Sequence, residues 1–280
     1  MITINQVSFS YKKNDLVLHD LNFDLNTPGV YGLFGKNAAG KSTLMKLMSG
    51  SLFPTQGSVY IQGTSTEDRS VASLQQVYYL SESIESPNWT AKQLAATYGK
   101  LYPNFDMTLF FEILSSFEVK PDITRKNMSM GQQKKLEISF ALATQAPYLF
   151  MDEATNGLDI PSKKQFRKLI NLYISEDQTL ILSTHQFREI DQIIDHIMVL
   201  DNKQLVLNLS TAKLNQHFIC TNQPLTGEQL LYKDAGSPGN YGLYNNPHHR
   251  ECQLDIELLF TAISTDSQIL KNTTIYENEY

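Results

Sequence analysis

Val30-Tyr31-Gly32-Leu33-Phe34 runs directly into Gly35-Lys36-Asn37-Ala38-Ala39-Gly40-Lys41-Ser42. The first five residues predict a strand over 29–34, and the next eight satisfy G-x-x-x-x-G-K-[ST] in full. A helix is predicted over 41–48, with Gly50 placed where it would end. Strand, loop and helix N-terminus in this order bring successive backbone N–H groups and the positive end of a helix dipole onto one phosphate. Gly35 and Gly40 let the backbone approach it, and the N–H groups of Asn37, Ala38 and Ala39 complete the loop. Lys41 would reach the β- and γ-phosphates, Ser42 would stand on Mg²⁺, and Thr43 would add an α-phosphate contact.

Outward from this loop, composition limits what the rest can be. The chain has 280 residues, 41% of them hydrophobic and 19% charged, with 14 Gly and 10 Pro. That is enough apolar material for one or two folded domains, and too little Gly and Pro for a low-complexity chain. A net charge of -6 argues against a main affinity for a nucleic-acid backbone. The two cysteines, Cys220 and Cys252, both lie late in the chain, so a reducing cytoplasm is expected. The richest apolar stretch, 138–151, is interrupted by Ser139, Thr144, Gln145 and Pro147 and is no membrane span. Residues 1–11 lack the pattern of a secretory signal; Val7, Phe9 and Tyr11 alternate with Ser8 and Ser10 as in a half-buried strand.

Strands are expected over 2–11, 21–25, 29–34 and 58–61. Helical spacing of Leu94, Ala95, Tyr98 and Leu101, then of Leu109, Phe110, Ile113, Leu114 and Phe117 after Pro103, predicts an inserted helical unit. Its Tyr98, Tyr102, Phe105, Phe110 and Phe111 read as either a small core or a partner groove, with core the ordinary outcome of such spacing. A further helix is expected over 131–144. The short unbroken apolar runs 148–151 and 179–182 predict strands buried on both faces of a parallel sheet. Residues 221–250, rich in Asn, Gly, Pro and Tyr, read as a loop-rich extension, followed by a helix over 255–263 with Asp255 as N-cap and by a polar tail. His248-His249-Arg250-Glu251-Cys252 lacks a second ligand pair at metal-site spacing and reads as loop.

The run 148–151 ends in Asp152-Glu153, and two carboxylates at the end of a buried strand are costly without a task. Asp152 would hold Mg²⁺ through water, and Glu153 would act as general base on the attacking water. With Met128-Ser129-Met130-Gly131-Gln132 some twenty residues upstream, the chain resembles the ATP-binding subunit of an ABC transporter. That family carries, in order, a phosphate loop, a Gln-containing loop, the LSGGQ signature, an apolar strand ending in Asp-Glu, a D-loop and a switch histidine. All have counterparts across residues 1–210.

The resemblance implies an α/β fold. A P-loop NTPase core with a mixed β-sheet would carry an N-terminal antiparallel β-subdomain, an α-helical subdomain inserted at about 83–145 and a small C-terminal extension at 211–280. It further implies that Ser129, Gly131 and Gln132 of the signature face the nucleotide of an opposite subunit, that Asp159 in Gly157-Leu158-Asp159 links the two sites of a dimer, and that His185 in Ser183-Thr184-His185 touches the γ-phosphate. Tyr11 stands where the family places an aromatic against adenine. Three positions depart from the family pattern: Met130 replaces the first signature Gly, Ala154 replaces the Pro after the general base, and Glu82 stands where a Gln is usual, as a water-mediated Mg²⁺ ligand.

The implied protein binds ATP and Mg²⁺, dimerises with a second ATP-binding subunit, and drives a separate transmembrane permease from the cytoplasmic face of the membrane. It would touch the membrane only through that permease and bind no nucleic acid. A permease-free ABC ATPase serving a cytoplasmic scaffold, and a slow-turnover regulatory module limited by Met130, are the competing readings.

Overall fold

The computed structural model describes residues 1–269 apart from 14, 84–86, 235, 237–240, 252–253 and 267–268. The expected polar tail, the Cys252 end of the histidine cluster and most of the Gly-Pro stretch around residue 238 lie outside the described residues.

The chain begins with β1 (Ile2–Ser10), which pairs antiparallel with β2 (Leu16–Leu25). Gln6 takes a left-handed φ of 49°, and the register shifts between Ile4 and Val7. This bulge lets Ile2, Ile4, Val7 and Phe9 all be buried although strict alternation fails between Ile4 and Val7. Next come β3 (Gly29–Phe34) and α1 (Lys41–Met48), both with the predicted bounds. Ser49 caps α1, and Gly50 follows with φ 70°. The strands β4 (Gln56–Ile61) and β5 (Thr64–Ser65) complete a four-stranded antiparallel sheet in the order β2-β1-β4-β5. Two expectations shift here: β2 begins at Leu16 rather than 21, and β1 ends at Ser10, so Tyr11 lies just beyond the strand.

A short helix α2 (Val71–Leu74) leads to β6 (Val77–Leu80). Between β6 and its parallel neighbour in the sheet the chain inserts α3 (Ala91–Tyr98), α4 (Met107–Ser116) and α5 (Met130–Ala143). Thr90 with Gln93 and Ser129 with Gln132 form capping boxes on α3 and α5, and Asp106 caps α4. Phe110 is fully buried, while Tyr102, Phe105 and Phe111 pack against the same core. Four of the five aromatics are thus core. Tyr98 remains 37% exposed and lines, with Tyr78, Leu94, Leu101 and Phe140, a cleft of about 270 Å³. Trp89 leans on Tyr98, ring centroids 5.3 Å apart, and its carbonyl accepts the Arg125 N–H. Arg125 and Glu137 form a buried ion pair that joins the loop before α5 to the middle of α5.

The second half supplies β7 (Tyr148–Asp152), α6 (Ile160–Tyr173), β8 (Thr179–Ser183), β9 (His196–Asp201) and β10 (Gln204–Ser210). The central sheet runs β10-β9-β3-β8-β7-β6; the pairs among β9, β3, β8, β7 and β6 are parallel, and only β10 is antiparallel. Alternate residues feed two cores. Tyr31, Leu33, Phe150, Ile181 and Met198 face α1 and the antiparallel sheet, whereas Val30, Leu149, Met151, Leu180 and Ile197 face the helices on the other side. Burial on both faces explains why 148–151 and 179–182 read as unbroken apolar runs.

Among its described residues the loop-rich segment carries two short strands. After α7 (Thr211–His217), β11 (Phe218–Thr221), β12 (Leu230–Lys233) and β13 (Gly242–Asn245) form an antiparallel sheet in the order β11-β13-β12. Each strand has four residues, too short for alternation to show against the Asn- and Gly-rich connections. Phe218, Ile219, Leu243 and Tyr244 supply its buried face. The chain closes with α8 (Ile256–Thr265), whose N-cap is Asp255 as expected.

Candidate active site

The loop between β3 and α1 is shaped by its two glycines. A Cβ on Gly35 would meet the Leu200 carbonyl oxygen at 2.6 Å, and Gly40 has φ 105°. Ala38 also takes a left-handed φ of 63°. The Lys41 side chain curls back over this loop, its Nζ donating to the carbonyls of Gly35 at 2.9 Å and Lys36 at 3.3 Å. Burial holds the Lys41 pKa below the ordinary lysine value, opposed by the charges of Glu153, Asp152 and Glu82. An ammonium held against two neutral carbonyls keeps its charge for a polyphosphate, while the nearby carboxylates call for a cation between them and the phosphates. Ser42 is half-buried at the same helix terminus, and Thr43 Oγ1 shares a 3.1 Å hydrogen bond with Tyr11 Oη. The Tyr11 ring is 55% exposed and edge-on to Phe9.

Asp152 ends β7 and is buried. One carboxylate oxygen accepts from Ser183 Oγ and the other from Tyr79 Oη at 3.1 Å. The same contact, with burial leading, drives the Tyr79 pKa well above its usual value. Glu153 follows with a left-handed φ of 46° and donates its N–H to Ser183 O at 3.2 Å and Oγ at 3.1 Å. That backbone turns its carboxylate toward His185, whose Nδ1 lies 3.0 Å from Glu153 Oε2. His185 sits just beyond β8, 45% exposed at its side chain. Lys41, Asp152, Glu153 and His185 therefore gather at the carboxyl ends of β3, β7 and β8, which are neighbours in the sheet.

Glu82 lies just beyond the end of β6, exposed, with Oε1 accepting from Asn156 Nδ2 at 3.4 Å. Its carbonyl accepts from the ammonium of Lys134 at 3.1 Å. Ser42, Asp152 and Glu82 present hard oxygen donors, the chemistry Mg²⁺ takes. Among the described residues no group of three His, Cys, Asp or Glu could hold a metal alone, so the donor set suits an ion that also keeps waters and phosphate oxygens.

Ser129 and Gln132 cap α5 reciprocally, and Met130 is 80% exposed. A Cβ on Gly131 would stand 3.1 Å from the Gly157 carbonyl, so the signature and the loop before α6 touch within one chain. Asp159 caps α6 by accepting from the Ser162 N–H at 3.0 Å, and the Ser162 hydroxyl, together with that N–H, holds its carboxyl below the ordinary value.

Four residues escaped the sequence reading. Tyr79 and Ser183 hold Asp152, Asn156 reaches Glu82, and Lys134 ties α5 to the loop of Glu82. Burial lowers the Lys134 pKa while Glu82, Asp152, Glu137 and Glu153 raise it.

The family model described as ABC transporter matches residues 18–156. Among curated relatives, the ABC transporter ATP-binding protein YtrB of Bacillus subtilis (strain 168) is 23% identical over 220 residues, covering 78% of this chain and 75% of that one. The lantibiotic transport ATP-binding protein SrtF of Streptococcus pyogenes is 28% identical over 218 residues, covering 74% and 90%. The solved structure of an ATP-binding subunit of an ABC transporter overlays with a TM-score of 0.68 at 21% identity, across 77% of this chain and 92% of that one. A dimeric ATP-binding cassette in a post-hydrolysis state with ADP and Pi overlays at 0.65, also at 21% identity, across 75% and 98%. Taken with the ordered motifs and the sheet that carries them, these likenesses identify the chain as an ABC-type ATPase subunit.

Proposed function

We propose that this chain binds ATP with Mg²⁺ and hydrolyses it as one half of an ATP-closed dimer that drives a separate transmembrane permease. The observation that carries the reading is the convergence of Lys41, Asp152, Glu153 and His185 at adjacent strand ends. Lys41 and the loop N–H groups from Gly35 to Thr43 hold the phosphates, and Tyr11 supports the base. Ser42, Asp152 and Glu82 would hold Mg²⁺, which would supply charge neutralisation for the phosphate oxygens. Glu153 takes a proton from water as the water oxygen bonds to the γ-phosphorus; the bond to the bridging oxygen breaks, and ADP leaves with the electron pair. His185, aligned by Glu153, donates a hydrogen bond to the γ-phosphate.

Residues 1–210 form the ATP-binding unit in this reading, with 83–145 as its helical insert and 211–280 as an extension. Ser129, Gly131, Gln132 and Asp159 complete the site of a second copy. The exposure of Ser129, Met130 and Asp159 supports this, since those groups are open to a partner. ATP favours the closed dimer and hydrolysis removes that preference, which supplies the stroke. No helix among the described residues is long and apolar enough to cross a membrane, so in this reading the transport path belongs to another chain, reached from the cytoplasmic face.

The test is to solubilise source membranes and purify the Glu153→Gln chain with ATP and Mg²⁺. A stoichiometric multi-span protein is expected to come with it. Recovery from the soluble fraction without one would overturn the permease assignment in favour of a cytoplasmic scaffold. The 80% exposure of Met130 at the mouth of the signature favours a second reading, slow turnover. Met130→Gly raises the rate if that reading holds, and an unchanged rate removes it.

A further inference from the structure

The segment that carries His185 does not end at the active site. Phe187, in the 3₁₀ turn Phe187–Glu189, stacks on Phe34 with centroids 4.7 Å apart and planes 27° apart. Phe34 is the last residue of β3, directly before the phosphate loop. Phe187 also meets Phe260 of α8, with centroids 4.9 Å apart and planes tilted by 44°. Three rings from three parts of the chain thus meet at the residue two places after His185.

A second contact between α8 and this segment is polar. Arg188 pairs with Glu257 at 3.3 Å, but their side chains are 88% and 54% exposed, so solvent leaves that pair little weight. Beside that pair lies a cleft of about 280 Å³ lined by Phe187, Arg188, Asp191, Leu254 and Ile256. On its far side α8 is anchored: Leu258, Leu259, Ala262 and Ile263 are buried in the main core. The helix is therefore fixed by its buried face, and Phe260 is the ring it sets against Phe187 of the switch segment.

We propose that Phe260 is a positioning residue for His185, acting through Phe187, so that the C-terminal extension holds the histidine in the orientation in which it meets Glu153 and the γ-phosphate. The inference rests on the ATPase reading above. Stacked and tilted aromatic pairs at these separations are favourable and directional, whereas an aliphatic side chain fills space without fixing the ring. Misplacing a catalytic group by an ångström is enough to slow a reaction strongly.

The experiment uses the full chain with Phe260→Leu, which keeps apolar volume, and Phe260→Tyr, which keeps the ring. Single-turnover hydrolysis and nucleotide binding are measured in the wild-type and His185→Ala backgrounds. The Leu variant should lose about ten-fold in hydrolysis rate, with nucleotide affinity unchanged, and the Tyr variant should recover it. In the His185→Ala background the Leu substitution should cost less than about two-fold, because residues acting through one another are not additive. An equal loss in both backgrounds, or no loss in the wild-type background, overturns the proposal and leaves Phe260 as packing. A wild-type chain that does not hydrolyse ATP overturns the ATPase reading and this inference with it; an active wild type with additive losses overturns this inference alone.

Discussion

Glu153 combines a backbone that L residues rarely adopt with a buried carboxylate, and both features aim it at His185. Holding a non-glycine residue in the left-handed region costs on the order of 1 kcal/mol, which the paired bonds from its N–H to Ser183 offset. Glu153→Gln keeps the shape and loses the base, so turnover should fall by at least about 100-fold with ATP binding retained. A phosphate-release assay beside a nucleotide titration checks this; turnover near the wild-type rate would remove Glu153 as base. Lys41→Ala should instead weaken binding itself, seen as a higher Kd in the same titration. The phosphate loop and Asp152-Glu153 were legible because each follows an apolar strand directly, and His185 was legible through the family resemblance together with its place just past a strand. Tyr79, Ser183, Asn156 and Lys134 were not, because each meets the site only once the sheet or helix packing brings distant segments together.

Elements were legible in proportion to their length and their exposure contrast. α1 and β3 have the bounds read from the sequence, since a glycine loop marks one boundary and Gly50 the other. α5 starts at Met130 because Ser129 is its cap, a role open to any Ser before a helix. β11, β12 and β13 escaped because four-residue strands in Asn- and Gly-rich surroundings carry no period to read. Asp159, by contrast, gives α6 a testable pH dependence. Its bond to Ser162 lowers the folded pKa below 3.8, so its contribution to stability is present above that value and is lost as pH falls through the folded pKa. Urea midpoints of wild type and Asp159→Asn should differ at about pH 6, and the difference should shrink as pH falls through the folded pKa; a constant difference would show the cap to be independent of charge.

The molecule as a whole is two cores on one sheet, and the helical insert hangs on the second of them. The Arg125–Glu137 pair lies inside that insert with side chains 8% and 6% exposed. Removing one partner strands a buried charge, so Arg125→Met should cost about 3–5 kcal/mol, while Arg125→Met with Glu137→Leu should recover much of it. Equilibrium denaturation of the three proteins decides; equal losses for single and double variants would mean that packing, not charge, sets the cost. One residue in this insert also makes the molecule its own reporter. Trp89 is the sole tryptophan of the chain, and its indole leans on Tyr98 at the edge of the cleft. Emission excited selectively at the indole, beyond the absorption of the 14 tyrosines, therefore originates from the helical insert alone, and any spectral shift on adding nucleotide reads out rearrangement at that place, in real time and without a label.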